Sequence, residues 1–470
     1  MTAIKRTFWG LLALLSLLWL AAEPQLFRTA GFFPARQLAV QYSGLIAIGC
    51  MSVAMILALR PRRPEPWLGG LDKMYRLHKW LGIGALVVAL VHWLWAKGPK
   101  WAVGWGWLER PQRGPRPVAE TALEQALQNL RGTAEAVGEW AFYAVVLLIL
   151  MALVKRFPYR RFFQTHRLLA VTYLVLVFHA VVLTKTEYWL SPVGAVLAPL
   201  LALGSWSAVT VLLRRVGADR RVQGRITRLH PYPGTHMLEV EVELPGGAMG
   251  HWPGHRAGQF AFVTLDAAEG AHPYTIASAW PGSDRRISFI IKALGDHTSR
   301  LPALLRVGRT VTIEGPYGCF TFDDVADDGA NDTANDRADD AAGDHTPHQI
   351  WIGGGVGVTP FIARMKELTT RPESPQRTID FFHATRDHDP DFLAQLQTAA
   401  DAARIRLHVL VDGRDGRLTG DRIRRAVSSW RDSSLWFCGP AGLGQALRQD
   451  FAAQGLAVER RFHQELFAMR

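Results

Sequence analysis

The sequence predicts a multidomain chain: a six-helix transmembrane bundle, then a small antiparallel β-barrel, then an α/β nucleotide-binding domain. Three observations carry this. Apolar runs of membrane-spanning length recur six times before residue 215. After Arg221 the pattern changes to short alternating runs bounded by glycine and proline. Beyond residue 347 a strand leads into a glycine-rich turn and a helix. At 470 residues the chain exceeds one ordinary domain of about 100–200 residues, and the boundaries read as 1–215, 216–322, 323–346 and 347–470.

The six apolar runs lie near 8–27, 38–59, 77–96, 138–154, 163–184 and 193–213, each long enough to cross about 30 Å of hydrocarbon. The first follows Lys5 and Arg6 without a small-residue cleavage site, so it reads as an uncleaved anchor. Net charge is +12, and the stretch 323–345 holds nine Asp against one Arg, leaving +20 for the rest. Much of that excess flanks the apolar runs: Arg60, Arg62, Arg63, Lys73, Arg76 and Lys79, then Lys155, Arg156, Arg160, Arg161 and Arg167. Basic residues so placed mark cytoplasmic connections and argue against nucleic acid as the partner. Both termini then lie in the cytoplasm, and the long 97–137 connection, with Trp101, Trp105, Trp107 and an amphipathic stretch near 118–131, lies outside. Cys50, Cys319 and Cys438 are too scattered for a disulfide framework.

The chemistry of the membrane half sits on histidines. The third span carries His78 and His92, the fifth His166 and His179. Ionisable side chains in hydrocarbon are costly and usually functional. With both spans running outward, one histidine of each lies near the inner face and one about 20 Å further out, at about 1.5 Å per residue. Two histidines at each of two depths suit two stacked haems, each iron held by one imidazole from each helix. Helical phase returns His92 to within about 40° of His78 but leaves His179 about 140° from His166, so the fifth span needs a bend or a π-bulge. The competing reading has these histidines merely hydrogen-bonding neighbouring helices.

In the soluble half, His272-Pro273-Tyr274-Thr275-Ile276-Ala277-Ser278 follows the strand 258–265. An aromatic ring with nearby hydroxyls can lie along a flavin. Gly295-Asp296-His297-Thr298-Ser299 precedes a leucine-rich helix over 300–305, where backbone N–H groups suit a pyrophosphate. The acidic stretch Asp323–His345 cannot bury a core and reads as disordered. Next, Gln349–Ile352 reads as a strand, Gly353-Gly354-Gly355-Val356-Gly357-Val358-Thr359-Pro360 as a turn, and Phe361–Leu368 as a helix that together face a phosphate. The following strand, Thr378–His383, leads to Arg386 in place of an acidic residue, which suits a 2′-phosphate and hence NADPH over NADH. A solvated arginine at a strand end is the alternative. Strands 407–411 and 435–438 follow, the latter opening into Gly439-Pro440.

In this order the motifs resemble the ferric reductase and NADPH oxidase superfamily, closest to its bacterial ferric-reductase-like branch: His78…His92, His166…His179, HPYTIAS, GDHTS, GPYG, GGGVGVTP and FCGP. The resemblance implies His78/His166 and His92/His179 as axial haem ligands. It places His272, Tyr274 and Thr275, with Pro273 and Ser278 of the same motif, at FAD, and Gly295, Thr298 and Ser299 near its phosphates. The segment Gly353–Thr359, with Pro360, would hold the NADPH pyrophosphate. Cys438, Gly439 and Pro440 would lie by the nicotinamide, and Phe467 would cover the flavin ring. The expected activity is electron transfer from cytoplasmic NADPH through FAD and two b-type haems, across a bacterial inner membrane, to a ferric chelate or dioxygen. No protein partner is signalled. A haem-free anchor carrying a flavin reductase is the rival reading; a transporter lacks broken-helix signals.

Overall fold

A computed structural model of the chain describes every residue except 1, 25, 27–30, 110–120, 155–158, 247–251, 281–284, 323–347, 372–376 and 466–470, and leaves out the side chains of Thr2, Tyr159 and Arg160. Two compact units divide it, Met1–Val216 and Gly217–Phe467.

The first unit is built from six candidate membrane spans. The helices are Thr2–Ala22, Phe32–Ala58, Leu71–Gly104, Ala122–Leu153, a fifth made of Tyr159–His166 and Leu168–Leu183, and Pro192–Leu212. Their starts follow from local chemistry: the Thr121 side chain accepts from the Glu124 N–H, and Ser191 accepts from Val193 just ahead of Pro192. The second span is the hub, packing on the third and sixth, while the fourth pairs with the fifth. Its buried positions include Ser43, Ala47, Gly49, Ser52 and Ala54, small residues that let helices approach closely where lipid offers no hydrophobic drive. Large apolar side chains such as Trp140, Leu147 and Trp206 stay exposed, as a lipid-facing surface requires.

Several span boundaries differ from the sequence reading. The first helix begins about six residues earlier than expected. The third runs on past Ala96 to Gly104, through Pro99. Proline has no N–H for the carbonyl four residues back, that of Trp95; Arg36 Nε supplies a donor to it, and Nη2 one to the neighbouring Ala96 carbonyl, both at 2.9 Å. The fourth helix begins at Ala122, so most of the amphipathic stretch is its first turns. The expected 97–137 connection is thus helical at both ends, to Gly104 and from Ala122.

In the second unit, β1 (Arg221–Tyr232), β2 (Met237–Glu243), β3 (Phe260–Asp266), β4 (Gly270–Thr275), β5 (Arg286–Lys292) and β6 (Thr310–Tyr317) form one antiparallel sheet in the order β4-β3-β6-β1-β2-β5. A bridge from Ile276 to Phe289 brings its two edges together into a barrel. Inward residues of alternating strands, among them Val222, Ile226, Val240, Val263, Phe289 and Ile313, fill it. The parallel strands β7 (His348–Gly354), β8 (Thr378–Thr385), β9 (Arg406–Val411), β10 (Ser433–Cys438) and β11 (Phe462–Gln464) follow in the order β11-β10-β7-β8-β9. Buried aromatics join the halves: Phe320 and Phe322 from the end of the barrel pack with Trp351, Phe361, Phe381 and Trp436 of the nucleotide half. The expected acidic insert lies outside the described residues.

Candidate functional site

The four membrane histidines form two pairs. The ring centres of His78 and His166 are 5.9 Å apart, and those of His92 and His179 are 6.3 Å apart. Three of the rings are oriented by the backbone: Nδ1–H donates to the carbonyl of Ala54 from His78 at 2.8 Å, of Val40 from His92 at 3.0 Å, and of Ala134 from His179 at 2.8 Å. That bond fixes the tautomer and leaves Nε2 as the lone-pair nitrogen. His166 is held differently, stacked on Phe162 at 5.0 Å and 22°. Two metal–imidazole bonds of about 2 Å each, plus about 1 Å from each ring nitrogen to its ring centre, sum to about 6 Å. Both pairs fit that span. Glycine makes room at the outer pair: a β-carbon at Gly44 would lie 3.2 Å from His92 Cε1, and one at Gly138 would overlap the His179 ring. Among the described residues no three His, Cys, Asp or Glu converge as a metal site, so each pair offers two imidazoles and no further side-chain ligand.

The fifth span, which the phase argument expects to depart from a straight helix, is interrupted between its two histidines. Arg167, directly after His166, interrupts the helix, and its guanidinium reaches the Leu212 carbonyl at 3.2 Å. Two helical segments, not one, therefore present His166 and His179 to the third span.

In the barrel, β4 carries His272, Pro273, Tyr274 and Thr275, paired along β3. The His272 ring stacks on His297 at 4.7 Å and 15°. Burial, and then the second imidazole, hold His272 below the ordinary histidine range. The helix expected over 300–305 starts earlier, at Asp296, so the GDHTS stretch is its cap and first turn. Thr298 Oγ1 accepts from the N–H of Leu294 at 2.9 Å and of Gly295 at 3.1 Å, which engages its hydroxyl in shaping the loop; Ser299 is exposed beside it. Ser278 Oγ accepts from Ser288 N–H at 3.1 Å. Its backbone carbonyl lies 3.0 Å from Nε2 of His255, a residue the sequence reading missed because nothing periodic marks it. Burial pushes His255 down to about 4.

In the nucleotide half, β7 and β10 are neighbours, with Gly353 opposite Cys438. The strand order reverses between them, and the carboxyl ends of strands at such a reversal form a crevice for ligands. Gly353-Gly354-Gly355-Val356-Gly357 and Cys438-Gly439-Pro440 meet there. A β-carbon at Gly354 would lie 2.6 Å from Pro440 Cδ, and one at Gly357 would be driven into the Cys438 backbone. Gly355 takes φ +58° with open space beside it. Thr359 Oγ1 donates to the Val356 carbonyl at 2.7 Å, which also takes the Thr359 N–H, and Thr359 with Pro360 opens the helix Thr359–Thr370 directly after the glycine turn. Arg386 stands just past β8, its side chain 80% exposed, 3.6 Å from Asp412. Cys438 is 1% exposed; burial raises its thiol well above the usual range, and the Glu465 carboxylate beside it adds to this. Glu465, itself buried, was not singled out from sequence. Phe467 lies outside the described residues.

Residues 43–177 match the family described as the ferric reductase like transmembrane component, and residues 223–321 match an FAD-binding domain. The chain is 26% identical over 272 residues to an NADPH oxidoreductase of Mycobacterium tuberculosis, covering 57% of this chain and 63% of that protein. It is 26% identical over 240 residues to the respiratory burst oxidase homolog protein E of Arabidopsis thaliana, covering 47% of this chain and 23% of that one. It thus spans less than two thirds of the length of these relatives. Among solved structures, the flavohemoglobin of Malassezia yamatoensis aligns over 93% of this chain and all of that chain at a TM-score of 0.46 and 16% identity. The cytochrome P450 reductase GcoB of Amycolatopsis aligns over 53% of this chain and 70% of that one at 0.41 and 19%. With six apolar helices this is an integral membrane protein, and one polypeptide carries both a match to a ferric-reductase-like transmembrane component and a match to an FAD-binding domain.

Proposed function

We propose that the protein is a transmembrane oxidoreductase that takes electrons from cytoplasmic NADPH and delivers them to an acceptor on the far side, most simply ferric iron in a chelate. The observation that carries this is the pair of histidine pairs, 5.9 and 6.3 Å across, in the same chain as an FAD-binding domain. When bound, FAD would supply the conversion of a two-electron donor into single electrons, and haem held between the paired imidazoles would supply electron transfer rather than ligand binding. The chain's residues supply position. The carbonyls of Ala54, Val40 and Ala134 hold three imidazoles in one tautomer; His272, Pro273, Tyr274, Thr275 and Ser278 edge the flavin, with the 295–299 turn at its phosphates. The 353–360 turn cradles the nucleotide pyrophosphate and Arg386 its 2′-phosphate. Cys438, Gly439 and Pro440 would border the nicotinamide; the assignment of Phe467 to the flavin ring rests on the resemblance alone.

The domains of this reading run 1–215, 216–322, 323–346 and 347–470. The basic connections 60–79 and 155–167 favour an orientation with the flavin module in the cytoplasm, in a bacterial inner membrane. Dioxygen is the second acceptor to consider, favoured by relatives named respiratory burst oxidase homologues. A reduced-minus-oxidised absorbance spectrum of membranes after NADPH addition tests the reading: a b-type haem spectrum is expected, and its absence leaves only a tethered flavoenzyme. Superoxide formation with and without a ferric chelate separates the acceptors.

A further inference from the structure

Between the barrel and the parallel sheet of the second unit, one half-buried ion pair joins the two loops that the preceding reading gives to the two cofactors. Lys292, the last residue of β5, pairs with Asp387, and their side chains are only 17% and 30% exposed. Lys292 stands three residues before Gly295, about 10 Å of extended chain from the 295–299 turn. Asp387 directly follows Arg386. Neither end is slack. On the barrel side, the Ala293 N–H donates to the His236 carbonyl at 2.9 Å, and the N–H groups of Leu294 and Gly295 both fold onto Thr298 Oγ1. On the other side, Thr385 Oγ1 donates to the Asp387 carbonyl at 3.0 Å and accepts from the Asp387 N–H at 3.2 Å. Asp389 then accepts the Gly234 N–H of the β1–β2 turn on one oxygen at 2.8 Å and caps the helix Pro390–Ala402 on the other through Phe392 N–H at 3.0 Å. The β1–β2 turn and the end of β5 thus buttress the 385–389 loop as one body.

We propose that Lys292 is a positioning residue that couples the two nucleotide sites: ordering of the 295–299 turn by FAD orders the Arg386 loop through the Lys292–Asp387 pair, so FAD raises the affinity for NADP⁺, and NADP⁺ that for FAD. The inference rests on the cofactor assignments of the preceding section. Coupling of this kind is reciprocal in binding free energy, and factors of about 5–150 are usual. Asp387→Asn leaves the backbone bonds to Thr385 in place, so it removes the ion pair without dismantling the loop.

The test is the dissociation constant of NADP⁺, by calorimetric titration of the full chain in detergent, with FAD bound and after FAD is stripped. In the parent protein FAD should tighten NADP⁺ at least about fivefold. K292M and D387N should each bring that ratio to about one, the double variant should go no further, and K292R should restore it. Single variants that keep the parent ratio, a parent ratio of one, or losses that simply add in the double variant overturn the coupling while leaving both cofactor sites standing. A chain that binds no FAD overturns the reading of the preceding section, and this inference with it.

Discussion

Gly138→Ala probes the outer histidine pair without touching a histidine. Gly138 is buried in the fourth span, and a β-carbon there would sit 2.7 Å from His179 Cγ and closer still to Nδ1. Carbon atoms in contact sit at about 3.5–4.0 Å, so the ring must move by about 1 Å. Its bond to the Ala134 carbonyl, now 2.8 Å, cannot follow that shift, and a metal–nitrogen bond tolerates only about 0.2 Å. The outer pair should therefore lose its cofactor while His78 and His166 keep theirs, halving the b-type haem per FAD. Pyridine haemochrome against flavin absorbance measures that ratio. Gly132→Ala is the control: on the same helix, its β-carbon meets nothing within 4 Å, so the ratio should hold. Two haems per flavin in Gly138→Ala, with an unchanged spectrum, would refute the assignment of His92 and His179.

Three further outcomes are expected. Asp380, fully buried, binds His348 Nε2 at 2.7 Å, His408 Nε2 at 2.9 Å and Arg406 at 2.5 Å; these partners hold its carboxyl below the usual range against the effect of burial. Asp380→Ala should cost about 2–3 kcal/mol, under the usual cost of breaking a buried pair because Arg406 keeps water contact, read as a lower unfolding midpoint by tryptophan fluorescence. Burial pushes His383 down to about 4 from an unfolded value near 6.5, so the unfolded chain binds the extra proton between those values. Stability of the second unit is then complete above pH 6.5 and falls by about 3 kcal/mol as pH drops to about 4, a slope that His383→Leu should reduce in melts across pH. Arg386→Ala should weaken NADPH about tenfold or more, the size of a charge-assisted bond, and leave NADH unchanged in steady-state kinetics; equal losses for both would show that Arg386 does not read the 2′-phosphate.

Much of the architecture was legible because membrane length, period-two strands and a glycine turn are local signals. What escaped the sequence depended on contacts distant in the chain. Pro99 should stop a helix, yet the third span continues through it, and Arg36, about sixty residues away, donates to the Trp95 carbonyl that Pro99 leaves bare. On a straight fifth helix His179 stands about 140° from His166; the helix is interrupted at Arg167, between the two, and that residue's guanidinium reaches the sixth span. In the flavin region the motif was visible, but its helix begins inside the motif, because Thr298 folds its hydroxyl onto the two preceding N–H groups. His255 and Glu465 carry no periodic signature and are defined only by what surrounds them.

The same contacts bear on the choice between a haem bundle and plain interhelical hydrogen bonding. Histidines kept only to bond neighbouring helices would gain by directing both nitrogens at protein partners, since an unsatisfied polar group in hydrocarbon is costly. Here His78, His92 and His179 each give Nδ1 to a backbone carbonyl, and in both pairs the ring centres stop about 6 Å apart, too far for one imidazole to bond the other directly and the right span for an atom that binds both. Two pairs joining the same two spans at that separation are what the proposed haems would require. That is also why a spectrum of the haem in membranes, more than any substitution, decides what this bundle is for.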